Sequence, residues 1–290
     1  MNPFMKMYNF HRKEFGLEDN RFFQLFEKLL LESPNSAFEC APKIARTEIH
    51  AGRFRLGYEQ KNNRKALQAI FLFLQRIEEF DDVRLNREIL NRLVNESLDF
   101  SMIMKMGIGI DIRKNGNGSK VKYYLMIRGY PEMVHQVFSI HQPVSNIGDY
   151  PIDDIFGFGI NMYFDGRTDI EIYPLFTPQD IEDTLLIDKL RLRKALSGFI
   201  DECHSLHISF DGHGRRILHF HPKIPSKFVQ LLNNRRLSAL YSNVKILNYL
   251  FSQSDEVEPL CVSFSLIEDE IVSSSIQNIN LQYTLNRKAK

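Results

Sequence analysis

The sequence contains no tryptophan and only three cysteines, Cys40, Cys203 and Cys261. These are odd in number, widely separated and never arranged as CxxC, which argues against a disulfide framework or a structural zinc site. A reducing, cytoplasmic setting is the expectation. Net charge is equally scarce: 37 Lys and Arg against 36 Asp and Glu leave +1, too little for a global field that would draw the molecule to nucleic acid or an anionic membrane. An anion site would have to be local. No apolar run approaches the ~20 residues that span a bilayer, and the opening MNPFMKMYNFHRKEF places charges and aromatics where a secretory signal needs an apolar core. Neither nucleic acid nor a membrane is therefore an expected partner, and a soluble, unprocessed monomer is expected. With 15 Gly and 11 Pro and no Gly/Ser linker, low-complexity tract or clear repeat, residues 1–290 read as one continuous domain.

What is present is a change of period along the chain. Apolar residues recur at three and four spacings over Asn20–Leu31, with Asp19 or Asn20 able to cap, and again over Gln60–Glu79 and Leu85–Leu98. Pro131–Ile140, Pro178–Leu196 and Pro225 to about Leu250 each open on a proline suited to a first helical turn. Between them the period drops to two, predicting strands at Glu48–Tyr58, Ile108–Arg113, Val121–Arg128, Phe158–Asp165, Thr168–Leu175, Ser205–Phe210, Arg216–His221, Leu260–Leu266 and Ile279–Leu285. The turns Asn115-Gly116-Asn117-Gly118, Asp165-Gly166 and Asp211-Gly212-His213-Gly214 suit tight antiparallel hairpins. Helix and hairpin thus alternate, which is an α+β pattern with antiparallel sheet.

The strands are two-faced. Val121, Tyr123, Leu125 and Ile127 alternate with Lys122, Tyr124, Met126 and Arg128; Phe54 and Leu56 alternate with Arg53 and Arg55; Ile170 and Ile172 alternate with Glu171 and Tyr173. An ordinary open sheet alternates too, but its wet face is usually plain Lys, Glu, Thr and Ser. Here the polar face is rich in Tyr, His and Arg. If the sheet closes, these faces share one lumen, where cations can bind an anion and aromatic rings can stabilise a carbocation.

The order Gly109-Ile-Asp-Ile-Arg113, Lys122, Tyr130-Pro-Glu132, Tyr163-Phe-Asp-Gly166 and Ile170-Glu-Ile-Tyr173, preceded by Glu39, Lys43, Ile44, Arg53 and Phe54, resembles the cyanobactin peptide prenyltransferases. The likeness extends to the segment around Tyr283 and covers most of the chain. It implies an αββα (ABBA) barrel of about ten antiparallel strands around a central lumen with helices outside. It also implies transfer of a dimethylallyl, geranyl or longer group from its diphosphate to a linear or cyclic peptide. In such an enzyme Arg53 and Lys122, with Arg113 and Arg128 in support, would bind the diphosphate, since phosphate oxygens want a forked or point cation. Tyr124, Tyr163, Tyr173 and Tyr283 would shield the allylic cation, and Glu39 would take the acceptor's proton. Glu171, His207, His219, His221 and Cys261 would line the lumen as part of the acceptor or prenyl pocket.

The same residues also fit plainer roles: surface strand cations, a loop carboxylate at Glu39, tyrosines that merely pack. The HxH of His219 and His221 invites a metal, but no third ligand is evident and no protein metal site is expected. No third aspartate completes DDxxD at Asp81-Asp82 or Asp153-Asp154, so Mg2+ would be held mainly by the diphosphate. The chain departs from the family pattern at Cys261, near where relatives carry tryptophan, and at Met126, where some carry another cation. The alternatives are a prenyltransferase of small aromatic molecules on the same barrel, or a barrel that only binds peptide or lipid.

Overall fold

Asn20 does what its position predicts: its side chain accepts hydrogen bonds from the Phe22 and Phe23 amides at 3.1 and 3.0 Å and starts a helix. The computed structural model describes residues 3–33, 37–45, 48–60, 63–95, 98–114, 116–140, 155–176, 196–210, 215–234 and 257–287. Its helices are α1 (Pro3–Glu14), α2 (Arg21–Glu32), α3 (Asn63–Glu78), α4 (Glu88–Leu93), α5 (Pro131–Ile140), α6 (Ser197–Ile200), α7 (Pro225–Asn234) and α8 (Glu268–Val272). The strands are β1 (Ala37–Cys40), β2 (Lys43–Ala45), β3 (Ile49–His50), β4 (Arg53–Glu59), β5 (Ile103–Asp111), β6 (Lys120–Arg128), β7 (Ile155–Tyr163), β8 (Thr168–Phe176), β9 (Cys203–Phe210), β10 (Arg216–Pro222), β11 (Val257–Ile267) and β12 (Asn278–Arg287).

Strands neighbour one another in the order β1-β4-β5-β6-β7-β8-β9-β10-β11-β12, and β12 also pairs with β1, Tyr283 opposite Cys40. These pairings form a closed cycle in an antiparallel α+β fold; the alternation of helix and hairpin predicts the antiparallel α+β pattern, and the closure is what the family resemblance implies. The short β2 and β3 continue from β12 as a branch. No helix among the described residues is long and apolar enough to cross a membrane.

The chain divides into two compact units, Met1–Glu39 with Gly52–Tyr173, and Cys40–Ala51 with Pro174–Lys290. In the first, one sheet face is oily and covered by α1, α2 and α3. Phe54 is 2% exposed, with the rings of Tyr8, Phe23, Phe26 and Phe38 at 4.9–6.0 Å; aromatic pairs at such spacings add to the area they bury. In the second, Phe199 of α6 and Phe228 of α7 cover Phe220 and Phe264, Phe228 stacking on Phe264 at 5.0 Å.

Several boundaries moved for physical reasons. The helix expected over Leu85–Leu98 shrinks to α4, because Arg84 is drawn into a bridge with Asp165 and donates its amide to Phe164 O at 2.9 Å. The strand expected over Glu48–Tyr58 breaks at Ala51-Gly52, where the Gly52 carbonyl accepts from the Ile112 amide at 2.8 Å. The strand expected at Ile108 begins at Ile103, its early part hidden by glycine and a bulge between Ile103 and Lys105. Gly116, Gly118 and Gly166 have φ of +73°, +79° and +87°, as their turns require. The helix expected over residues 178–196 lies almost wholly outside the described residues, as do the part of the 225–250 helix beyond Asn234 and the turn at 211–214.

Candidate functional site

Register converts the alternation of β4 to β7 into rows of side chains across the first unit. One row runs Arg53, Asp111, Lys120, Tyr163; the next runs Arg55, Gly109, Lys122, Asn161; a third runs Gly57, Gly107, Tyr124, Gly159. Because facing residues of paired strands share a side, the cations form two adjoining rows on the polar face. The third row is almost bare, and the large side chains lean over it. A Cβ at Gly159 would lie 2.5 Å from Lys122 Cε and 3.4 Å from a Tyr173 ring carbon, and one at Gly109 would lie 3.3 Å from the Tyr124 ring. The glycines therefore make the room that these side chains occupy.

The cations are held by carboxylates and stacked on phenol rings. Arg53 Nε and Arg113 Nε reach Asp111 at 3.2 and 3.0 Å. Arg55 Nη1 stands 3.5 Å and Lys105 Nζ 3.9 Å from Glu39, whose side chain is 10% exposed. Among the described residues no hydrogen bond reaches Glu39 Oε2 or Arg55 Nε, although both atoms are buried. Lys122 Nζ pairs with Glu171 at 2.5 Å and also donates to the Tyr173 hydroxyl, which in turn donates to Glu171. Asn161 Nδ2 donates to Glu171 at 2.6 Å and to Asp169 at 2.5 Å, and the Tyr163 hydroxyl donates to Asp169 at 3.0 Å. Over the rings, Arg55 lies 4.2 Å from the Tyr124 centroid, Lys122 lies 5.2 Å from Tyr124 and 4.8 Å from Tyr173, and Lys120 lies 4.8 Å from Tyr163. These are cation–π distances.

Electrostatics follow from burial and these neighbours. Burial lowers Lys122, Lys120 and Lys105, with nearby carboxylates opposing it. Burial would raise Glu171, but Lys122 and then Lys120, with hydrogen bonds from Lys122 and Tyr173, hold it well below the usual carboxylate range. Within the Lys122–Glu171 pair the carboxylate stays ionised, since it answers to two ammonium groups and to the Tyr173 and Asn161 donors. Tyr173 is raised by burial and then by Glu171, and Tyr124 by burial, so both phenols stay protonated. Burial works against the Arg55 charge, but Glu39, Tyr124 and Tyr173 outweigh it and raise Arg55.

The first unit thus brings together Glu39, Arg53, Arg113, Lys122, Tyr124, Tyr163, Glu171 and Tyr173. Arg128 does not join them. It is exposed, opposite Ile155, six positions along β6 from Lys122 or ~20 Å at the rise of a strand. Tyr283 is a second correction: it is 2% exposed and shares its row with Ile279 and Leu281, on the buried side of β12 rather than with Asn280 and Gln282. Its alternation with those apolar residues was the signal for that. Cys261 is its register partner on β11, and the Cys261 side chain lies outside the described residues.

His207, His219 and His221 form a group of their own in the second unit. His219 Nε2 and Nδ1 meet the Ser209 and Ser265 hydroxyls at 2.7 and 2.8 Å, and the His207 and His221 rings lie 5.0 Å apart. Site residues not singled out from the sequence are Arg55, Lys105, Asp111, Lys120, Asn161 and Asp169. Arg55, Asp111, Lys120, Asn161 and Asp169 could have been found, lying two residues from Arg53, Arg113, Lys122, Tyr163 and Glu171 respectively; Lys105 needs register.

A family model described as a family of unknown function, DUF5838, matches residues 4–285. No curated protein matches the chain.

Proposed function

The chain belongs to the DUF5838 family, and from the charged, ring-backed sheet face of its first unit we propose that it transfers an isoprenoid group from its diphosphate to a peptide. The observation that carries this reading is the stacking of Arg55, Lys122 and Lys120 on Tyr124, Tyr173 and Tyr163 beside a strip of glycines. An anion and a developing carbocation need these two kinds of surface next to each other.

In this reading the diphosphate lies against Arg53, Lys120 and Lys122. The allylic C–O bond breaks with its electron pair leaving on the diphosphate oxygen, and the cations stabilise the charge that develops there. The allylic carbon lies against the Tyr124 and Tyr173 rings, which stabilise it and keep water away. A lone pair of the acceptor forms the new bond, and its proton passes to Glu39, whose buried Oε2 has no hydrogen-bond donor among the described residues. Asp111, Glu39 and Glu171 are each engaged by cations, so they do not offer a ready Mg2+ site, and the metal would enter on the diphosphate oxygens. The reading places the enzyme in the cytoplasm as a monomer, with the Cys40 and Cys203 side chains buried.

The test is incubation with dimethylallyl or geranyl diphosphate and a panel of linear and cyclic peptides differing in Tyr, Trp, His, Arg and Ser, read by mass. A gain of one prenyl unit is expected with at least one pair. No gain with any pair, while inorganic pyrophosphate still binds, would replace this reading with a face that only binds anions. Arg53→Ala should act mainly through donor affinity, and Glu39→Gln should lower turnover while calorimetry finds donor binding kept. Unchanged donor affinity in Arg53→Ala would remove it from the diphosphate site.

A further inference from the structure

We propose that Glu171 is an exchangeable counter-ion for the donor: it holds the Lys122 ammonium while no diphosphate is bound, and a polyvalent phosphate displaces it from Lys122 on binding. This rests on the donor site proposed above and adds how that site selects its anion.

The two partners are fixed to very different degrees. Glu171 is anchored by Asn161 Nδ2 at 2.6 Å and by the Tyr173 hydroxyl, so its carboxylate keeps partners when Lys122 leaves. Lys122 ends a four-carbon stem that lies over Gly159, where an added Cβ would be 2.5 Å from Cε. The lysine can therefore swing while the carboxylate stays. The other carboxylates are less suited to exchange: Asp111 is gripped by two guanidinium groups, through Arg53 Nε at 3.2 Å and Arg113 Nε at 3.0 Å. Forked guanidinium contacts are geometrically committed, whereas an ammonium is a compact point charge that changes partners readily.

A displacing anion must outcompete a carboxylate already in place at 2.5 Å. A diphosphate, with several negative charges spread over many oxygens, can do so; a monovalent carboxylate cannot. Glu171 is thus a positioning residue that sets the threshold for donor binding.

The experiment measures inorganic pyrophosphate affinity of the full chain by calorimetry for wild type, Glu171→Gln and Glu171→Asp. Removing the competing charge should tighten binding about tenfold in E171Q, and shortening the carboxylate by one carbon should tighten it about threefold in E171D. The donor KM should fall with it in the transfer assay, without a matching rise in kcat, a split that general loosening of the sheet would not produce. If E171Q does not fold, E171D alone decides. Unchanged or weaker pyrophosphate binding in a folded variant overturns the exchange and leaves the donor site standing. Absence of pyrophosphate binding by wild type overturns the donor site and the exchange together.

Discussion

Replacing Lys122 with methionine interrogates the charged row through stability, with no substrate present. Methionine keeps most of the stem that covers Gly159 and removes the ammonium, so Glu171 loses the partner at 2.5 Å but keeps Asn161 and Tyr173. Removing one member of a buried ion pair typically costs about 3–5 kcal/mol, because the other charge is left uncompensated. The Lys122 and Glu171 side chains are 12% and 29% exposed, so solvent screens part of this, and about 2 kcal/mol at pH 7 is the working figure. That corresponds to a drop in Tm of about 4–8 °C.

The pH dependence gives the sharper check. In wild type the folded Glu171 is held well below its unfolded value by Lys122 and Lys120 against the opposing effect of burial. Its stabilising contribution is therefore complete above the unfolded value, about 4.3, and is lost as pH falls towards the depressed folded value. In Lys122→Met burial is opposed by Lys120 and the Tyr173 hydrogen bond without the Lys122 ammonium, the folded value moves upward, and acidification relieves the strain by neutralising the carboxyl. The gap between the two proteins should shrink from about 2 kcal/mol at pH 7 to under about 1 kcal/mol at pH 4. Urea unfolding of both proteins across this range measures it. A gap that stays constant or widens on acidification would refute the assignment of Glu171 as the partner that depends on Lys122.

Two further outcomes probe the frame around the site. Gly107→Ala should cost about 2 kcal/mol in urea unfolding, since its Cβ would meet the Leu56 carbonyl oxygen at 2.5 Å and backbone cannot step aside as a side chain can; a cost near zero would mean that β4 and β5 are not so closely paired there. Tyr283→Phe should leave pyrophosphate affinity within twofold of wild type, because Tyr283 lies on the buried row with Ile279 and Leu281; a tenfold loss by calorimetry would return it to the donor site.

The contrast between Tyr283 and Tyr173 explains what a sequence can disclose about such a site. Both are tyrosines on strands with strict alternation, yet Tyr173 shares its row with Glu171 and Asp169, and Tyr283 shares its row with Ile279 and Leu281. The neighbours at i±2 decide the face, and that information is local, so the polar identity of Arg53, Lys122, Tyr124 and Tyr173 could be read without any structure. The same local logic places Arg55 beside Arg53, and it outranks a match to a motif, which is why Tyr283 came out on the other side. The partnerships obey no such rule. Arg53 meets Asp111 and Lys122 meets Glu171 only because β4, β5, β6, β7 and β8 pair in one particular register, and a shift of a single residue would have turned every side chain of a strand over. Glycine conceals even more. Gly109 and Gly159 reveal in sequence that a side chain is missing, but not that Tyr124 and Lys122 lean into the space left. The polar face could therefore be recognised in advance as charged and aromatic, whereas its neutralisation by Asp111, Glu39 and Glu171 could not. It is that neutralisation which turns the face from an open anion trap into a site that a strong anion must win by exchange.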